Sequence, residues 1–336
     1  MSVLDRDLRV AIVGLGKMGL LHASILSVLP NVQLAAMCEK SSVTRKLWKK
    51  LFRGIQIVDD SEKLSDLDLD AVYVTTPIPS HFSIAKTLYT GNMTRNLFVE
   101  KTLASNYDEA KELCELADRF GGVNMVGYLR RFAVTFRKAK DLLSEEIAGD
   151  VTRFAGYAYS SDFSGMNSSS NTPASRGGVL SDLGCHVIDL ATWFFGDLKV
   201  DSAKVESITD GCSGDVWHFT VRTPGGLVGD FKASWCMYGY RMPEIGLQIS
   251  CSKGIIEVND DFVKLKLNNG RLSTWYRHDL NDTAGFWLGG PEYFREDDFF
   301  VKSVRENLYA EPDFNMAAKV DCIIDDVLFR VDKISD

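Results

Sequence analysis

The stretch LRVAIVGLGKMGLLHASIL, residues 8–26, decides the fold of the first part of the chain. An almost continuous apolar run ends at Gly14, further glycines follow at Gly16 and Gly19, and an amphipathic stretch begins directly after them. Apolar runs without alternation are typical of strands that are covered on both faces, and the amphipathic spacing is typical of a helix. The stretch therefore predicts a buried strand, a tight glycine turn and a helix.

Four further apolar runs alternate with amphipathic stretches in the first third of the chain, and they lie at 32–39, 70–76, 96–101 and 124–128. Strand, helix and strand at this spacing are typical of a doubly wound parallel sheet with helices on both faces. We therefore expect an α/β domain of this kind over residues 1–128.

After residue 128 the pattern changes to strands that are separated by turn signals. Strand patterns flank Thr223-Pro224-Gly225-Gly226, and later strands are broken at Asn268-Asn269-Gly270. Residues 177–196, GGVLSDLGCHVIDLATWFFG, predict a helix that ends at its last glycine. We expect residues 129–336 to form a second α/β domain with a mainly antiparallel sheet.

The spacing G-x-G-x-x-G between a strand and a helix is typical of dinucleotide-binding sites of the Rossmann type. Gly14 permits the tight turn, Gly16 lets the backbone approach a pyrophosphate, and Gly19 lets helix and strand pack closely. The anionic phosphate would lie at the positive end of the helix dipole. A tight turn without a ligand is the alternative.

Glu39 ends the second predicted strand, where an acidic side chain accepts hydrogen bonds from the ribose hydroxyls of NAD and repels the 2′-phosphate of NADP. NAD is therefore the expected cofactor. Lys40, Ser41 and Arg45 follow directly and would suit a phosphate, which leaves NADP as the alternative. The other residues that we expect to bind the cofactor are Lys17, Met18, Thr75, Thr76, Pro77, His81 and Glu100.

The composition is that of a globular protein, with 45% hydrophobic and 25% charged residues and a net charge of −8. The acidic balance argues against a nucleic-acid partner, and no apolar run has the length of a membrane span. Seven cysteines without a C-x-x-C pair argue against zinc and disulfide frameworks. We expect a cytoplasmic protein without a metal site.

Several elements together resemble the Gfo/Idh/MocA family of oxidoreductases. They are the glycine fingerprint, Glu100-Lys101-Thr102 in place of an E-K-P segment, Arg130-Arg131-Phe132, and the spacing G-G-x-x-x-D-x-G-x-H-x-x-D over residues 177–189. The resemblance implies a Rossmann domain that is joined to an α/β domain with a large open sheet. It also implies dehydrogenase activity on sugars, cyclitols or their derivatives.

By this resemblance, Lys101, Asp182 and His186 form the catalytic site. Hydride leaves a carbinol carbon readily only when the hydroxyl loses its proton, so a base and a positive charge are needed near the oxygen. His186 would take the proton, Lys101 would stabilise the oxyanion, and Asp182 would orient one of them or bind a neighbouring hydroxyl. We expect His186 in the first turn of its helix, where the dipole keeps the ring neutral. A helix cap at Asp182 and a surface position for His186 are the alternative.

The lysine segment departs from the family at Thr102, which stands where the family has proline. The ring that would fix the backbone after Lys101 is missing, so we expect a less rigid segment there. The catalytic assignment stays because the lysine is present.

Two residues are implied to contact substrate by the resemblance to inositol-dehydrogenase-like members. Arg130 is one, and a surface arginine that pairs with a carboxylate is its alternative. Tyr240 is the other, and a core or interface aromatic is its alternative.

The expected function is NAD(P)-dependent hydride transfer between nicotinamide and a secondary alcohol of a sugar, cyclitol or sugar derivative. An NAD-dependent glycosidase that oxidises its substrate transiently and a non-catalytic dinucleotide sensor are the alternatives. We expect a polyol or sugar substrate, a homodimer or homotetramer, and no nucleic-acid or membrane partner. The strand aromatics Trp217, Phe219, Phe231 and Trp235 would permit such an oligomer.

Overall fold

The computed structural model describes residues 6–162, 177–206 and 216–332. The chain divides into two compact units, of which the first contains Met1–Tyr128 and Ala284–Ala318 and the second contains Leu129–Thr283 and Lys319–Asp336. In the described ranges, no helix combines the length and the apolar character that a membrane crossing requires. No cluster of three metal-binding side chains was found in the same ranges.

A parallel sheet of six strands forms the centre of the first unit, in the order β3-β2-β1-β4-β5-β6. Its strands are β1 (Leu8–Val13), β2 (Val32–Cys38), β3 (Gln56–Val58), β4 (Ala71–Val74), β5 (Asn96–Val99) and β6 (Asn124–Val126). The predicted doubly wound sheet is confirmed. Strand β3 was not predicted, because three residues with one buried side chain form no apolar run that a sequence pattern would show.

The helices of the chain follow in sequence order. They are α1 (Lys17–Leu26), α2 (Ser42–Leu51), α3 (His81–Thr90), α4 (Tyr107–Phe120), α5 (Val134–Ser144), α6 (Cys185–Phe195), α7 (Pro291–Glu306) and α8 (Phe314–Asp332). Helix α7 packs against α1 within the first unit. The placement of residues 284–318 in the second domain was therefore wrong. The sequence did not reveal this, because their packing partner α1 lies far away in the chain. His22 of α1 and Asp297 of α7, for example, are in contact and are separated by 275 residues.

A sheet of eight strands forms the second unit, in the order β14-β13-β12-β11-β7-β10-β9-β8. Its strands are β7 (Val151–Tyr159), β8 (Lys199–Glu206), β9 (Val216–Arg222), β10 (Val228–Ser234), β11 (Glu244–Cys251), β12 (Gly254–Asn259), β13 (Phe262–Leu267) and β14 (Leu272–Tyr276). Strands β7 and β10 pair in parallel and the other neighbours pair antiparallel, which confirms the mainly antiparallel sheet.

Helix α6 covers one face of this sheet. A Cβ atom at Gly156 of β7 would lie only 2.5 Å from the side chain of Val187, so the helix approaches the strand closely at a residue without a side chain. Helix α5 packs on β12 and β13. The core of the second unit therefore lies between the sheet and these helices.

The strand aromatics lie on this covered face. Phe231 pairs with Gly156 on one side and with Phe219 on the other, and both phenylalanines are buried within the unit, as is Trp235. The opposite face carries charged residues such as Arg153 and Asp230, which form an ion pair. Because Phe219, Phe231 and Trp235 are already buried in the single chain, they give no support to the aromatic rationale for an oligomer. The oligomer itself stays a prediction.

A buried ion pair holds α6 to the turn that precedes α5. The guanidinium of Arg131 donates to both carboxylate oxygens of Asp189 at distances of 2.6 to 3.1 Å, and both side chains are buried. Burial raises the pKa of Asp189, against the lowering effect of the Arg131 charge. The last aspartate of the predicted helical motif therefore has a structural contact of its own.

We expect Asp189→Ala to lower the free energy of unfolding by about 3–5 kcal/mol, because it leaves the Arg131 charge buried without this carboxylate. The control is Asp230→Ala, which removes one partner of an exposed pair with Arg153 and should cost less than about 1 kcal/mol. Urea unfolding followed by circular dichroism checks both values. Equal losses in the two variants would contradict the structural role of the buried pair.

Candidate functional site

The glycine turn after β1 has the geometry of a phosphate cradle. Gly14 has a φ of +97°, and a Cβ atom at Gly19 would lie 1.9 Å from the carbonyl oxygen of Gly14, so both positions require glycine. At Gly16, by contrast, no heavy atom of the described residues lies within 4 Å of an added Cβ atom. The open space beside Gly16 and the start of α1 at Lys17 fit a pyrophosphate at a helix N-terminus.

Two hydrogen bonds fix the cradle from the neighbouring strands. The Gly14 N–H donates to the carbonyl of Cys38 (2.9 Å), and the Thr75 hydroxyl donates to the carbonyl of Gly14 (2.7 Å). The side chain of Thr75 thus supports the loop from below. The next residue, Thr76, accepts a hydrogen bond from the Ser80 hydroxyl (2.9 Å) in the turn after β4.

The carboxylate of Glu39 joins the cradle to α2. One oxygen accepts from the Leu15 N–H (3.0 Å) and the other from the Ser41 N–H (2.8 Å). Carboxylate oxygens have further lone pairs, so these two bonds leave acceptor capacity for ribose hydroxyls. Glu39 is therefore held directly after β2, where an acidic side chain would suit the ribose hydroxyls of NAD.

Two of the three residues that left NADP open, Ser41 and Arg45, have side chains with backbone partners. Arg45 donates to the carbonyl of Glu39 (2.7 Å) and also to that of Lys40, and the Ser41 hydroxyl caps α2 by accepting from the Thr44 N–H (3.3 Å). A guanidinium that binds carbonyl oxygens is a poorer receptor for a 2′-phosphate. The local hydrogen bonds thus favour NAD.

The segment of Glu100 and Lys101 continues directly from β5. The Glu100 N–H donates to the carbonyl of Val74 at the end of β4 (2.9 Å), and the Glu100 carboxylate accepts from the Lys101 N–H (3.1 Å). Glu100 is buried and its other oxygen faces the ring of His22 (3.0 Å), whereas Lys101 is half-buried. The structure therefore turns the Glu100 carboxylate into the interior, away from its expected cofactor role, and places Lys101 at the edge of the sheet.

His81 supports the chain on the other side of Lys101. Its ring is fully buried, with Nδ1 2.7 Å from the carbonyl oxygen of Thr102 and Nε2 2.7 Å from that of Thr76. Burial lowers the pKa of His81, although both carbonyl contacts act in the opposite direction. His81 thus joins the ends of β4 and β5, and its ring nitrogens are used there.

Thr102 is held by hydrogen bonds where the family has a proline ring. Its hydroxyl donates to the carbonyl of Ala104 (3.1 Å), its carbonyl faces His81, and it is buried. The peptide bond between Lys101 and Thr102 is cis. We expected a less rigid segment after Lys101, but the hydrogen bonds of Thr102 restrain the backbone there.

Asp182 and His186 lie in one continuous helical segment. Helical backbone begins at Gly178, a π-helical turn covers Leu180–Gly184, and α6 follows at once. His186 is buried and lies roughly two turns after the start of the segment. The first-turn argument for its neutral ring was therefore wrong, and so were the alternatives of a cap at Asp182 and a surface position for His186. π-Turns recur at functional sites, which favours this segment as one.

Arg130 has a carboxylate partner, as its alternative required, but it is buried and does not lie at the surface. Its guanidinium forms a bidentate pair with Asp260, with distances of 3.0 and 3.2 Å, and Asp260 also accepts from the Ile245 N–H (2.9 Å). A substrate that contacts the Arg130 guanidinium would have to share it with the Asp260 carboxylate.

Tyr240 lies with two tyrosines that the sequence patterns did not single out. Its ring centroid is 5.0 Å from that of Tyr159, and Tyr159 stacks on Tyr157 at 4.9 Å. Because residues 157 and 159 alternate with Gly156, this cluster lies on the sheet face opposite α6. The structure therefore does not bring Tyr240 to the side of the sheet that carries His186. The aromatic alternation in β7 was the signal for this cluster.

Two family models match the chain. Residues 8–128 match the model "Oxidoreductase family, NAD-binding Rossmann fold", and residues 136–257 match the model "GFO/IDH/MocA C-terminal domain". The first unit thus contains an NAD-binding Rossmann domain, which agrees with the cradle and with Glu39.

Curated relatives are similar over part of their length. The scyllo-inositol 2-dehydrogenase (NAD(+)) of Bacillus subtilis (strain 168) is 27% identical over 207 residues, which cover 57% of this chain and 55% of the relative. The D-glucoside 3-dehydrogenase of Escherichia coli (strain K12) is 24% identical over 208 residues, which cover 61% of this chain and 59% of the relative. The chain spans little more than half of the length of these relatives.

A solved structure is similar over nearly the whole chain. Levoglucosan dehydrogenase in complex with NADH and levoglucosan has a TM-score of 0.84 at 21% identity, with 98% of each chain covered. At this identity the likeness shows the fold, an α/β architecture with one parallel and one mainly antiparallel sheet.

We expect Gly19→Ala and Gly16→Ala to separate packing from binding. A Cβ atom at Gly19 collides with the Gly14 carbonyl, so this variant should lose about 1–3 kcal/mol of unfolding free energy and its NADH binding. Gly16→Ala should fold normally and raise the Kd for NADH by about tenfold, because the methyl group occupies the space beside the loop. Thermal unfolding and NADH fluorescence measure the two effects. Unchanged NADH affinity in Gly16→Ala would contradict the cradle.

Proposed function

Because the chain belongs to the Gfo/Idh/MocA family of oxidoreductases, we propose that it uses NAD to transfer hydride to or from a secondary alcohol of a sugar, cyclitol or sugar derivative. One observation carries the proposal. The open glycine cradle after β1 and Lys101 after β5 lie at the same edge of the first unit's sheet, formed by the carboxyl ends of parallel strands. The names of the inositol and D-glucoside relatives support the substrate class.

Each candidate residue has a role that its chemistry supports. NAD, when bound, supplies the acceptor or donor of the hydride. The Lys101 ammonium stabilises negative charge on the substrate oxygen, and His186 takes the hydroxyl proton. Asp182, one helical turn before His186, orients the imidazole or binds a neighbouring hydroxyl.

We also propose a cellular location and an oligomeric state for the protein. The cysteines of the described ranges are free thiols, which supports a reduced, cytoplasmic location. A homodimer or homotetramer is part of the same proposal, and light scattering of the purified chain tests it.

A screen with both cofactors tests the function. NADH absorbance is followed with scyllo-inositol, myo-inositol, levoglucosan and a p-nitrophenyl D-glucoside, each with NAD and with NADP. Net NADH formation supports the dehydrogenase. Release of p-nitrophenol without net NADH would replace it by the glycosidase, and NADH binding without either reaction would replace it by the sensor.

We expect Lys101→Ala to lower kcat by about 100- to 1,000-fold, because it removes the charge that stabilises the oxyanion. The Kd for NADH should change little. The control is Lys86→Ala, which removes an exposed lysine that pairs with Glu112, and its kcat should equal that of the unmodified protein. Steady-state kinetics on the best compound of the screen supplies both values. An unchanged kcat in Lys101→Ala would remove this residue from the mechanism.

We expect Glu39→Ala to narrow the preference for NADH over NADPH and to raise the Kd for NADH by about tenfold. The variant removes the negative charge at the ribose and also the acceptor of the Leu15 and Ser41 N–H groups. Glu39→Gln keeps an acceptor oxygen and should separate the two effects. Fluorescence titrations of the unmodified protein and both variants with NADH and NADPH measure the six dissociation constants. A stronger affinity of the unmodified protein for NADPH would overturn the assignment.

A further inference from the structure

The interior of the first unit holds a line of ionisable side chains that the proposed function does not use. His22 of α1 is fully buried, and its Nδ1 lies 2.8 and 3.0 Å from the two carboxylate oxygens of Asp297 in α7. Its Nε2 lies 3.0 Å from Oε1 of Glu100 at the end of β5. The imidazole therefore bridges two carboxylates that are far apart in sequence.

The charges of His22 and Glu100 stabilise each other, whereas burial raises the pKa of Asp297 in spite of the neighbouring His22. Burial by itself lowers the pKa of His22, but the charges of Asp297 and Glu100 and their hydrogen bonds outweigh it and hold the pKa well above its usual value. Burial raises the pKa of Glu100, but His22 outweighs it and the pKa lies below its usual value. An imidazolium that donates to both carboxylates accounts for both contacts.

Stability alone is a weak reason for such a line. Removing two or three charges from water costs several kcal/mol per ion, and well-packed apolar side chains of similar volume are often as stabilising as a buried ion pair. The surroundings here are apolar and aromatic, with the rings of Tyr73 and Phe98 at 5.5 and 5.1 Å from the His22 ring. A role in orientation accounts for the arrangement better than a role in stability.

The line ends at the backbone of Lys101. The Glu100 oxygen that does not contact His22, Oε2, accepts from the Lys101 N–H at 3.1 Å. Gly127 of the neighbouring strand end leaves just enough space for this carboxylate, since an added Cβ atom would lie 3.2 Å from the same oxygen. The Glu100 carboxylate is thus held by His22 on one side, and the missing side chain of Gly127 leaves room for it on the other.

We propose that His22 and Asp297 are positioning residues for Lys101, which act by holding the Glu100 carboxylate against the Lys101 N–H. This inference rests on the proposed function in so far as Lys101 serves catalysis. The three side chains fix the backbone from which the Lys101 ammonium reaches the substrate oxygen. Small displacements of a catalytic group cost large factors in rate, so the effect of losing the line appears in kcat.

The first test compares variants in turnover. His22→Ala and Asp297→Ala each break the line, and we expect kcat to fall by about 10- to 100-fold while the Kd for NADH stays within twofold. Asp297→Asn retains an oxygen that accepts from Nδ1–H, so it should keep most of the kcat that Asp297→Ala loses. Equal losses in the alanine and asparagine variants would overturn a role in orientation.

Glu296 provides a matched control in the same helix. It is as deeply buried as its neighbour Asp297, and neither of its carboxylate oxygens has a hydrogen-bond partner in the described part of the chain. Burial and the charge of Glu100 raise the pKa of Glu296 well above its usual value, which favours the neutral form of this side chain. Glu296→Gln should therefore leave kcat within twofold and should not lower thermal stability.

The second test does not depend on turnover. Hydrogen exchange of the Lys101 amide, measured by NMR on the 15N-labelled protein, reports the bond to Glu100 directly, and we expect exchange about tenfold faster in His22→Ala. Should His22→Ala not fold, Gly127→Ala replaces it, because the added methyl group would lie 3.2 Å from Oε2 of Glu100 and would crowd the carboxylate without removing a charge.

The kcat of the variants and the exchange rate of the Lys101 amide together test the positioning role of His22 and Asp297. Faster exchange at Lys101 with a lower kcat supports it, whereas unchanged exchange, or faster exchange with unchanged kcat, overturns it. If the unmodified protein oxidises no compound of the screen, the proposed function fails. The exchange rate then decides by itself whether His22 positions the Lys101 backbone.

Discussion

The close packing of α1 on the glycine turn is the constraint on which the first unit depends. A single added carbon at Gly19 would collide with the carbonyl of Gly14, so the helix can lie at this depth only with glycine at that position. His22 follows three residues later, on the same face of α1, and is carried into the interior by the same approach. The packing that opens a cradle beside Gly16 therefore also places an imidazole next to Glu100.

Each unit contains a buried ionic contact that lies within three residues of a candidate catalytic residue in the sequence. In the first unit, the carboxylate that His22 holds belongs to the residue before Lys101. In the second unit, Arg131 holds Asp189, which lies three residues after His186 in the same helix. Such contacts add little net stability, but their geometry is strict. They are suited to fixing the backbone from which a reactive side chain projects.

The sequence patterns predicted local features and missed those that join distant segments. The glycine turn, the parallel sheet and the mainly antiparallel sheet each follow from periodicity and turn residues within short windows. The partner of His22 was beyond reach, because Asp297 lies 275 residues away and no spacing rule connects the two. The sequence also could not show on which face of the sheet Tyr240 lies. Alternation along a strand indicates two faces but does not show which one the helices cover.

Two histidines fix the backbone of Lys101, one by contacting the residue before it and the other by contacting the residue after it. His22 acts on the preceding residue through the Glu100 carboxylate, and His81 binds the carbonyl of the following residue, Thr102. A proline ring would restrain this segment by its covalent geometry. Here the restraint comes from imidazoles on α1 and α3, so the order at the lysine is a property of tertiary packing. A local departure from the family motif at Thr102 therefore need not loosen the segment, because the contacts that hold it come from elsewhere in the fold.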